Sequence, residues 1–244
     1  MEHRNTLMIA AVALLAAVVG VLGYMQYSAA QNQKASLALA DAIRTYNSSI
    51  RTPDQPASPD VKSFASGAER AGAAHDEFLK VANDFPGTAN GRYARYLAGV
   101  AAAEKSDNAE AEKLFKEVAG YGGDHAALAK MALAALYRNQ DKIDDAARMY
   151  REVIALNAPI VPRTTAQLEL AQMLEPKQPN EAIKVYEEVL KQEEDARKEQ
   201  AAKSGTKTTG DATSVLANAA QSQKSPLEEA VTRKLNELRG TPKK

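Results

Sequence analysis

The sequence predicts an all-α protein: a solenoid of helical hairpins preceded by one transmembrane helix. The main observation is a recurring pattern, in which a small residue is followed four positions later by an aromatic residue and three positions after that by valine. A long uncharged apolar stretch near the N-terminus is the second observation. The pattern occurs at intervals of 37, 35 and 36 residues, in Ala74-Phe78-Val81, Ala111-Phe115-Val118, Ala146-Tyr150-Val153 and Ala182-Tyr186-Val189. Such a period is typical of stacked helical hairpins, each of which buries its apolar face only against its neighbours.

The composition excludes several classes of function. Lys+Arg and Asp+Glu are equal at 31 each, so no excess charge points to a nucleic-acid partner or an acidic substrate. The chain has no cysteine, which excludes disulfides, cysteine-ligated zinc, thiol catalysis and a lipoprotein anchor on an acylated cysteine.

Residues 7–27 are predicted to form the transmembrane helix, after a short cytoplasmic tail over 1–6. No charged residue occurs between Asn5 and Gln33. Nine leucine, isoleucine and valine side chains contribute about −3 to −5 kcal/mol to insertion. The 21-residue stretch is long enough to cross a hydrocarbon core of about 30 Å. Tyr24 and Tyr27 then lie where interfacial aromatic residues are common.

The charges that flank this stretch predict its orientation. Arg4 and the terminal amine precede it closely, whereas Lys34 and Arg44 follow at a greater distance, which favours a cytoplasmic N-terminus and an extracytoplasmic repeat domain. A signal peptide cleaved after Ala30 is the alternative, because small residues occur there. Signal peptides typically have apolar regions of about 7–15 residues. The longer stretch of this chain favours an uncleaved anchor.

The rest of the chain divides by its periodicity and its turn residues. A juxtamembrane helix is predicted over 28–50, followed by a proline-rich linker over 51–60. The repeat domain over 61–192 is predicted to contain helices at 61–84, 88–105, 109–119, 124–139, 142–156, 162–174 and 181–192.

Two segments follow the repeats. The segment 193–224 begins with charged residues that extend the last helix, and it becomes rich in Gly, Thr and Lys, which predicts flexibility. A C-terminal amphipathic helix is predicted over 225–240, because Ser225, Pro226 and Glu228 form a helix-start signal. Its leucines and valine require a docking surface, so we expect it to cap the exposed end of the solenoid or to fold back on it.

The helix pairs resemble tetratricopeptide repeats, whose second helix carries a small residue four positions before an aromatic residue. The clearest copy has Leu133-Ala134 and Tyr137 on the first helix, followed by Ala146-x₃-Tyr150 on the second. The first copy has no adjacent partner helix, and residues 31–50 are the predicted partner. One N-terminal span that leads into such repeats, together with the ending 233–238, is similar to the YfgM-like family of ancillary SecYEG translocon subunits.

Membership in that family implies a role in secretion. It implies a single-pass protein of the bacterial inner membrane that contacts translocon subunits, periplasmic chaperones and unfolded clients. Two alternatives remain open from the residues. One is an adaptor in an envelope assembly or cell-division complex. The other is a soluble exported binding protein after cleavage at Ala30.

The inner face of the repeats, formed by the first helix of each pair, is the predicted partner-binding site. The positions that face inwards are Tyr93, Tyr96, Val100, Leu128, Met131, Ala135, Arg138, Leu168 and Gln172. In some repeat proteins, polar side chains at these inner positions bind the C-terminal carboxylate of a peptide. Met131 and Ala135 occupy two such positions here, so this mode of binding is not expected. An apolar, extended client suits the tyrosines, methionine and leucines better. The alternative interpretation is that several of these residues only pack helix against helix.

The sequence predicts no catalytic chemistry, cofactor, small-molecule substrate or nucleic-acid partner. His75, Asp76 and Glu77 are adjacent, but neighbouring residues of a helix point about 100° apart, so they form no chelating face. We expect this triplet to be solvated. The turn 120–123 is rich in glycine but lacks the lysine of a phosphate-binding loop. We therefore predict a non-enzymatic scaffold.

Overall fold

The computed structural model describes residues 2–52, 54, 62–205 and 224–240. These residues are helical apart from turns and two strands of two residues each, so the predicted all-α fold of repeated helical hairpins is confirmed. The contacts divide the chain into two compact units, Met1–Tyr121 (unit 1) and Gly122–Lys244 (unit 2).

Unit 1 begins with one long helix. In chain order its helices are α1 (Glu2–Tyr46), α2 (Gly67–Asp84), α3 (Ala89–Glu104) and α4 (Asn108–Ala119). The C-terminal part of α1 packs on α2, where Leu39 and Ala42 share a buried cluster with Phe78. The prediction that residues 31–50 supply the missing partner of the first repeat is confirmed for the part that is helical.

The connection from α1 to α2 differs from the prediction. The juxtamembrane helix ends at Tyr46 rather than at residue 50, and β1 (Ser49–Ile50) pairs in parallel with β2 (Ser63–Phe64). The hydroxyl of Ser48 donates to the carbonyl of Arg44 at 2.9 Å, an alternative to continued helical bonding. Of the predicted linker 51–60, only residues 51, 52 and 54 are described.

Helix α2 begins at Gly67, six residues later than predicted, because a capping arrangement fixes its start. The Ser66 hydroxyl accepts from the backbone N–H of Glu69 at 3.1 Å. The Glu69 carboxylate accepts from the N–H of Ala65 at 2.7 Å. Two amides at the helix start are thereby satisfied, which is the role of a Ser-x-x-Glu signal.

Unit 2 contains two repeat hairpins and a further helix. Its helices are α5 (Gly123–Asn139), α6 (Ile143–Leu156), α7 (Arg163–Leu174), α8 (Pro179–Gly205) and α9 (Pro226–Gly240). Gly122 and Gly123 have φ values of 80° and 60°, so the start of α5 uses backbone conformations that other residues rarely adopt. Asp124, the first residue of the predicted helix 124–139, lies in the first turn of α5, and Gly122 occupies the cap position.

The recurring pattern forms the core of every hairpin. All twelve residues of its four copies are at most 4 % exposed, and they lie on the second helix of each pair (α2, α4, α6 and α8). The period that predicted the fold is therefore the spacing at which each second helix turns its small, aromatic and valine residues inwards.

Helix α9 folds onto α8, as predicted. The amide of Ser225 donates to the Glu228 carboxylate at 2.8 Å, and the Glu228 amide donates to the Ser225 hydroxyl at 3.1 Å. Val231 and Leu235 are buried together with Tyr186 of α8. The charged residues from Glu193 extend α8 to Gly205, as expected, and the rest of the predicted flexible segment, 206–223, lies outside the described residues.

Candidate functional site

The predicted binding residues of unit 1 lie together on α3. The rings of Tyr93 and Tyr96 are stacked, with centroids 5.9 Å apart and planes inclined by 14°. The ring of Tyr96 also packs against the ring of Phe115, with the two ring centroids 5.8 Å apart. Tyr93, Tyr96 and Val100 are partly exposed, so each offers part of its apolar surface while the remainder packs within the unit.

A glycine on α3 creates the room for this aromatic cluster. A Cβ atom on Gly99 would lie 2.6 Å from Cε1 of Phe115, which is closer than such atoms approach in proteins. Burial, and then the neighbouring Tyr93, raise the pKa of the Tyr96 phenol above its ordinary value. The Tyr96 phenol therefore stays uncharged well above neutral pH, which suits an apolar partner.

In unit 2, the predicted residues of α5 have mixed roles. Leu128 and Met131 are partly buried and pack against the cluster of Ala127, Val153 and Val161. Arg138 is exposed, and its guanidinium is 2.8 Å from the carboxylate of Glu169 on α7. Exposed ion pairs of this kind contribute about 0–1 kcal/mol. The packing interpretation therefore accounts for part of the surface of Leu128 and Met131, and the rest remains open to a partner.

Leu168 and Gln172 of α7 line a groove in unit 2 that the sequence did not predict. Its volume is about 370 Å³, and α9 forms its opposite wall with Leu227, Val231 and Lys234. We call this space the C-terminal groove. The amphipathic pattern of α9 predicted that the helix would dock, but that pattern alone does not say which surface it would contact.

One carboxylate joins the three helices around the C-terminal groove. The Tyr186 hydroxyl donates to Oε1 of Glu175 at 2.6 Å, and Nζ of Lys234 lies 2.9 Å from Oε2. Burial, together with the hydrogen bond to Glu175, raises the pKa of Tyr186. The hydrogen bond to Glu175 also raises the pKa of Lys234. These contacts hold the polar rim of the groove in place.

The expectation that His75 is solvated is wrong. His75 is buried, and its Nδ1 lies 3.0 Å from the exposed carboxylate of Asp76. Glu77 points to another partner, the amine of Lys62 at 2.7 Å. The described residues contain no group of three or more His, Asp or Glu side chains arranged to hold a metal ion.

The N-terminal part of α1 has an exposed apolar surface. Leu14, Leu15, Val19 and Leu22 are 57–70 % exposed, whereas Ala35, further along the same helix, is fully buried. Within the described residues, this helix alone is long and apolar enough to cross a membrane. The same length and composition also occur in signal sequences.

Comparison with known proteins identifies the repeats. Residues 1–157 match the family model described as the tetratricopeptide repeat-like domain. No curated protein sequence matches the chain. Two crystal structures of a Podosopora anserina putative kinesin light chain with nearly identical TPR-like repeats, one of them a point variant, align with it at 17% identity and a TM-score of 0.43. The alignments cover 70% of this chain and 86% and 85% of those chains.

Proposed function

The chain belongs to the tetratricopeptide repeat-like domain family, and we propose that it is a non-enzymatic, membrane-anchored scaffold that binds extended apolar segments of other proteins. Domains of this family generally bind proteins, and stacked helical repeats present extended binding surfaces. One observation carries the membrane anchor: α1 is a single continuous helix whose apolar side chains are exposed around Leu14–Leu22 and whose later residues are buried in the first repeat.

The continuity of α1 has a mechanical consequence for the scaffold. Ala35, Leu39 and Ala42 follow one another at helical spacing and are buried in unit 1. Only about eight residues, or roughly 12 Å of helix, separate Tyr27 from Ala35. The anchor therefore holds the first repeat directly at the membrane surface.

Binding is tested with a reduced, carboxymethylated model protein that cannot fold, offered to the full chain in detergent. Met131→Lys in unit 2 and Val100→Lys in unit 1 place a charge on the partly exposed apolar faces. Each variant is expected to weaken binding several-fold, because a charged group is costly against an apolar partner. Ala155→Lys, at an exposed position on α6, is the matched control. Unchanged binding by both face variants would reject these faces as the binding site.

We further propose that the protein resides in the bacterial inner membrane, with a cytoplasmic N-terminus, and assists secretion at the translocon. The absence of native cysteine makes the topology directly measurable. Gln33→Cys is expected to react with an impermeant maleimide added to intact spheroplasts, whereas Asn5→Cys is expected to react only after lysis. The reverse result would invert the topology, and a mature chain beginning at Gln31 would show that the segment is a cleaved signal peptide.

The translocon role needs a test of its own. Photo-crosslinking residues placed at Asn32 and Gln33, both exposed on α1, are expected to capture translocon subunits in the membrane. Capture of envelope-assembly or cell-division proteins instead would favour the adaptor function.

A further inference from the structure

A cavity of about 480 Å³ lies within unit 1, between α1 and the turn that joins α2 to α3. Residues 24–32 of α1 supply one wall, including Tyr24, Tyr27 and Ser28. Residues 84–92 supply the other wall, including Asp84 and Arg92. We call this space the juxtamembrane cavity. It is separate from the predicted binding faces and from the C-terminal groove.

The position of the cavity along α1 fixes its depth, given the membrane anchor proposed above. The apolar segment ends at Tyr27, and residues 24–32 cover about 12 Å of helix at 1.5 Å per residue. The polar region of one bilayer leaflet is roughly 5–8 Å thick. The cavity consequently opens at the level of the lipid headgroups on the side of the repeat domain.

The charged side chains of the cavity are available to a ligand. Arg92 is partly buried, and its guanidinium lies 5.6 Å from the centre of the Tyr121 ring. In the ranges that the structure describes, no carboxylate forms an ion pair with Arg92, and no cation forms one with Asp84. The Thr88 hydroxyl is already engaged, since it donates to the Phe85 carbonyl and accepts from the Gly91 amide, both at 2.9 Å.

We propose that the juxtamembrane cavity binds the headgroup of a membrane phospholipid, with Arg92 contacting the phosphate and Asp84 contacting an ammonium group. Arginine recognises phosphate through charge-assisted hydrogen bonds. A headgroup that carries both a phosphate and an ammonium, such as phosphoethanolamine, matches this pair of side chains better than an uncharged glycerol headgroup does. The apolar rings of Tyr24 and Tyr27 lie where the acyl chains begin.

The test uses the full chain reconstituted into vesicles of equimolar phosphatidylethanolamine and phosphatidylglycerol, gently extracted and measured by native mass spectrometry. The unmodified chain is expected to retain more phosphatidylethanolamine than phosphatidylglycerol. Arg92→Gln is expected to reduce the retained lipid about tenfold, whereas Arg151→Gln, at an exposed position on α6, is expected to retain it fully. The proposal would be overturned if the Arg92 variant retained as much lipid as the unmodified chain, or if the Arg151 variant lost as much lipid as the Arg92 variant.

A second variant separates headgroup recognition from any effect on folding. Asp84→Asn is expected to keep a bound lipid but to lose most of the preference for ethanolamine over glycerol headgroups. An unchanged preference would overturn the ammonium contact. Soluble glycerophosphoethanolamine is expected not to displace the lipid, and displacement at equal concentration would show a site for a soluble phosphate ester instead.

Flotation of the same vesicles distinguishes this proposal from the anchor on which it rests. A chain that does not float with vesicles would reject the membrane anchor itself. A chain that floats but retains no lipid through Arg92 would reject only the headgroup site.

Discussion

At the scale of single residues, Gly99 shows how little space the repeat core leaves. We predict that Gly99→Ala lowers the free energy of unfolding by about 1–2 kcal/mol, because the new methyl group overlaps the Phe115 ring and outweighs the gain in helix propensity. Gly72→Ala on α2 is the matched control, since nothing lies within 4 Å of the added methyl group. It is expected to stabilise the chain by about 0.5–1 kcal/mol in the same urea titration. Equal effects of the two changes would contradict the packing argument.

Gln167 is the second informative single residue. It is fully buried on α7, and neither its amide nitrogen nor its amide oxygen has a hydrogen-bond partner among the described residues. A near-isosteric apolar side chain removes the cost of burying that amide, so Gln167→Met is expected to raise the free energy of unfolding by about 1–3 kcal/mol. The exposed Gln172 lies on the same helix, and Gln172→Met is expected to change the free energy of unfolding by less than about 0.5 kcal/mol. Destabilisation by Gln167→Met would mean that the amide is satisfied in solution.

At the scale of helices and strands, the hydrogen bond from Tyr186 to Glu175 links α8 to α7 in a pH-dependent way. The pKa of Tyr186 is raised in the folded chain. The stabilisation that its hydrogen bond gives the folded chain is therefore complete below the ordinary pKa of about 10, and it is lost as the pH rises through the raised pKa. Tyr186→Phe is expected to lower the free energy of unfolding by about 1–2 kcal/mol at pH 8.

The difference between Tyr186→Phe and the unmodified chain is expected to narrow as the pH rises above about 10, because phenylalanine does not ionise. This difference in the free energy of unfolding is measured by urea titration monitored by circular dichroism. Tyr121→Phe, at an exposed position, controls for the general effect of high pH. A difference that stays constant to high pH would place the Tyr186 hydroxyl outside the Glu175 contact.

The helices were predictable from the sequence because their core positions recur. Ala146, Tyr150 and Val153 are buried where the period placed them. The strand pair was not predictable, because the sequence around Ser49 has no alternation that distinguishes two paired residues from a helix end. The late start of α2 had a usable signal, since Ser66 and Glu69 have capping-box spacing.

The candidate site was less predictable than the helices. The repeat pattern predicts which positions face inwards, and it selected Tyr93, Tyr96 and Met131 as candidates; their role in binding stays a prediction. Their degree of exposure depends on neighbours from other helices, such as Phe115, which no local pattern reveals. The C-terminal groove arises where α9 docks, so it depends on contacts between segments distant in sequence. The burial of His75 had no local signal in the sequence.

At the scale of the whole molecule, α1 combines an apolar segment that the fold does not bury with a segment that the fold requires. The described core residues of α1 begin at Ala35 and include Leu39 and Ala42. A fragment over 31–244 therefore keeps every described core residue of this helix and loses the exposed apolar surface around Leu14–Leu22. We predict that this fragment is soluble without detergent and unfolds thermally within a few degrees of the full chain in detergent.

A shorter fragment, over 49–244, tests the other half of the same argument. It lacks Leu39 and Ala42, so Phe78 loses part of its cover and the first repeat loses its partner helix. Truncating one buried leucine to alanine already costs about 2–5 kcal/mol, and the loss of a whole packed helix exceeds that. We expect this fragment to aggregate in size-exclusion chromatography, or to lose part of its helical circular-dichroism signal at a lower temperature than the fragment over 31–244. If the fragment over 49–244 were as soluble and as stable as the fragment over 31–244, α1 would be only an anchor. If the fragment over 31–244 aggregated, the apolar segment would be part of the fold.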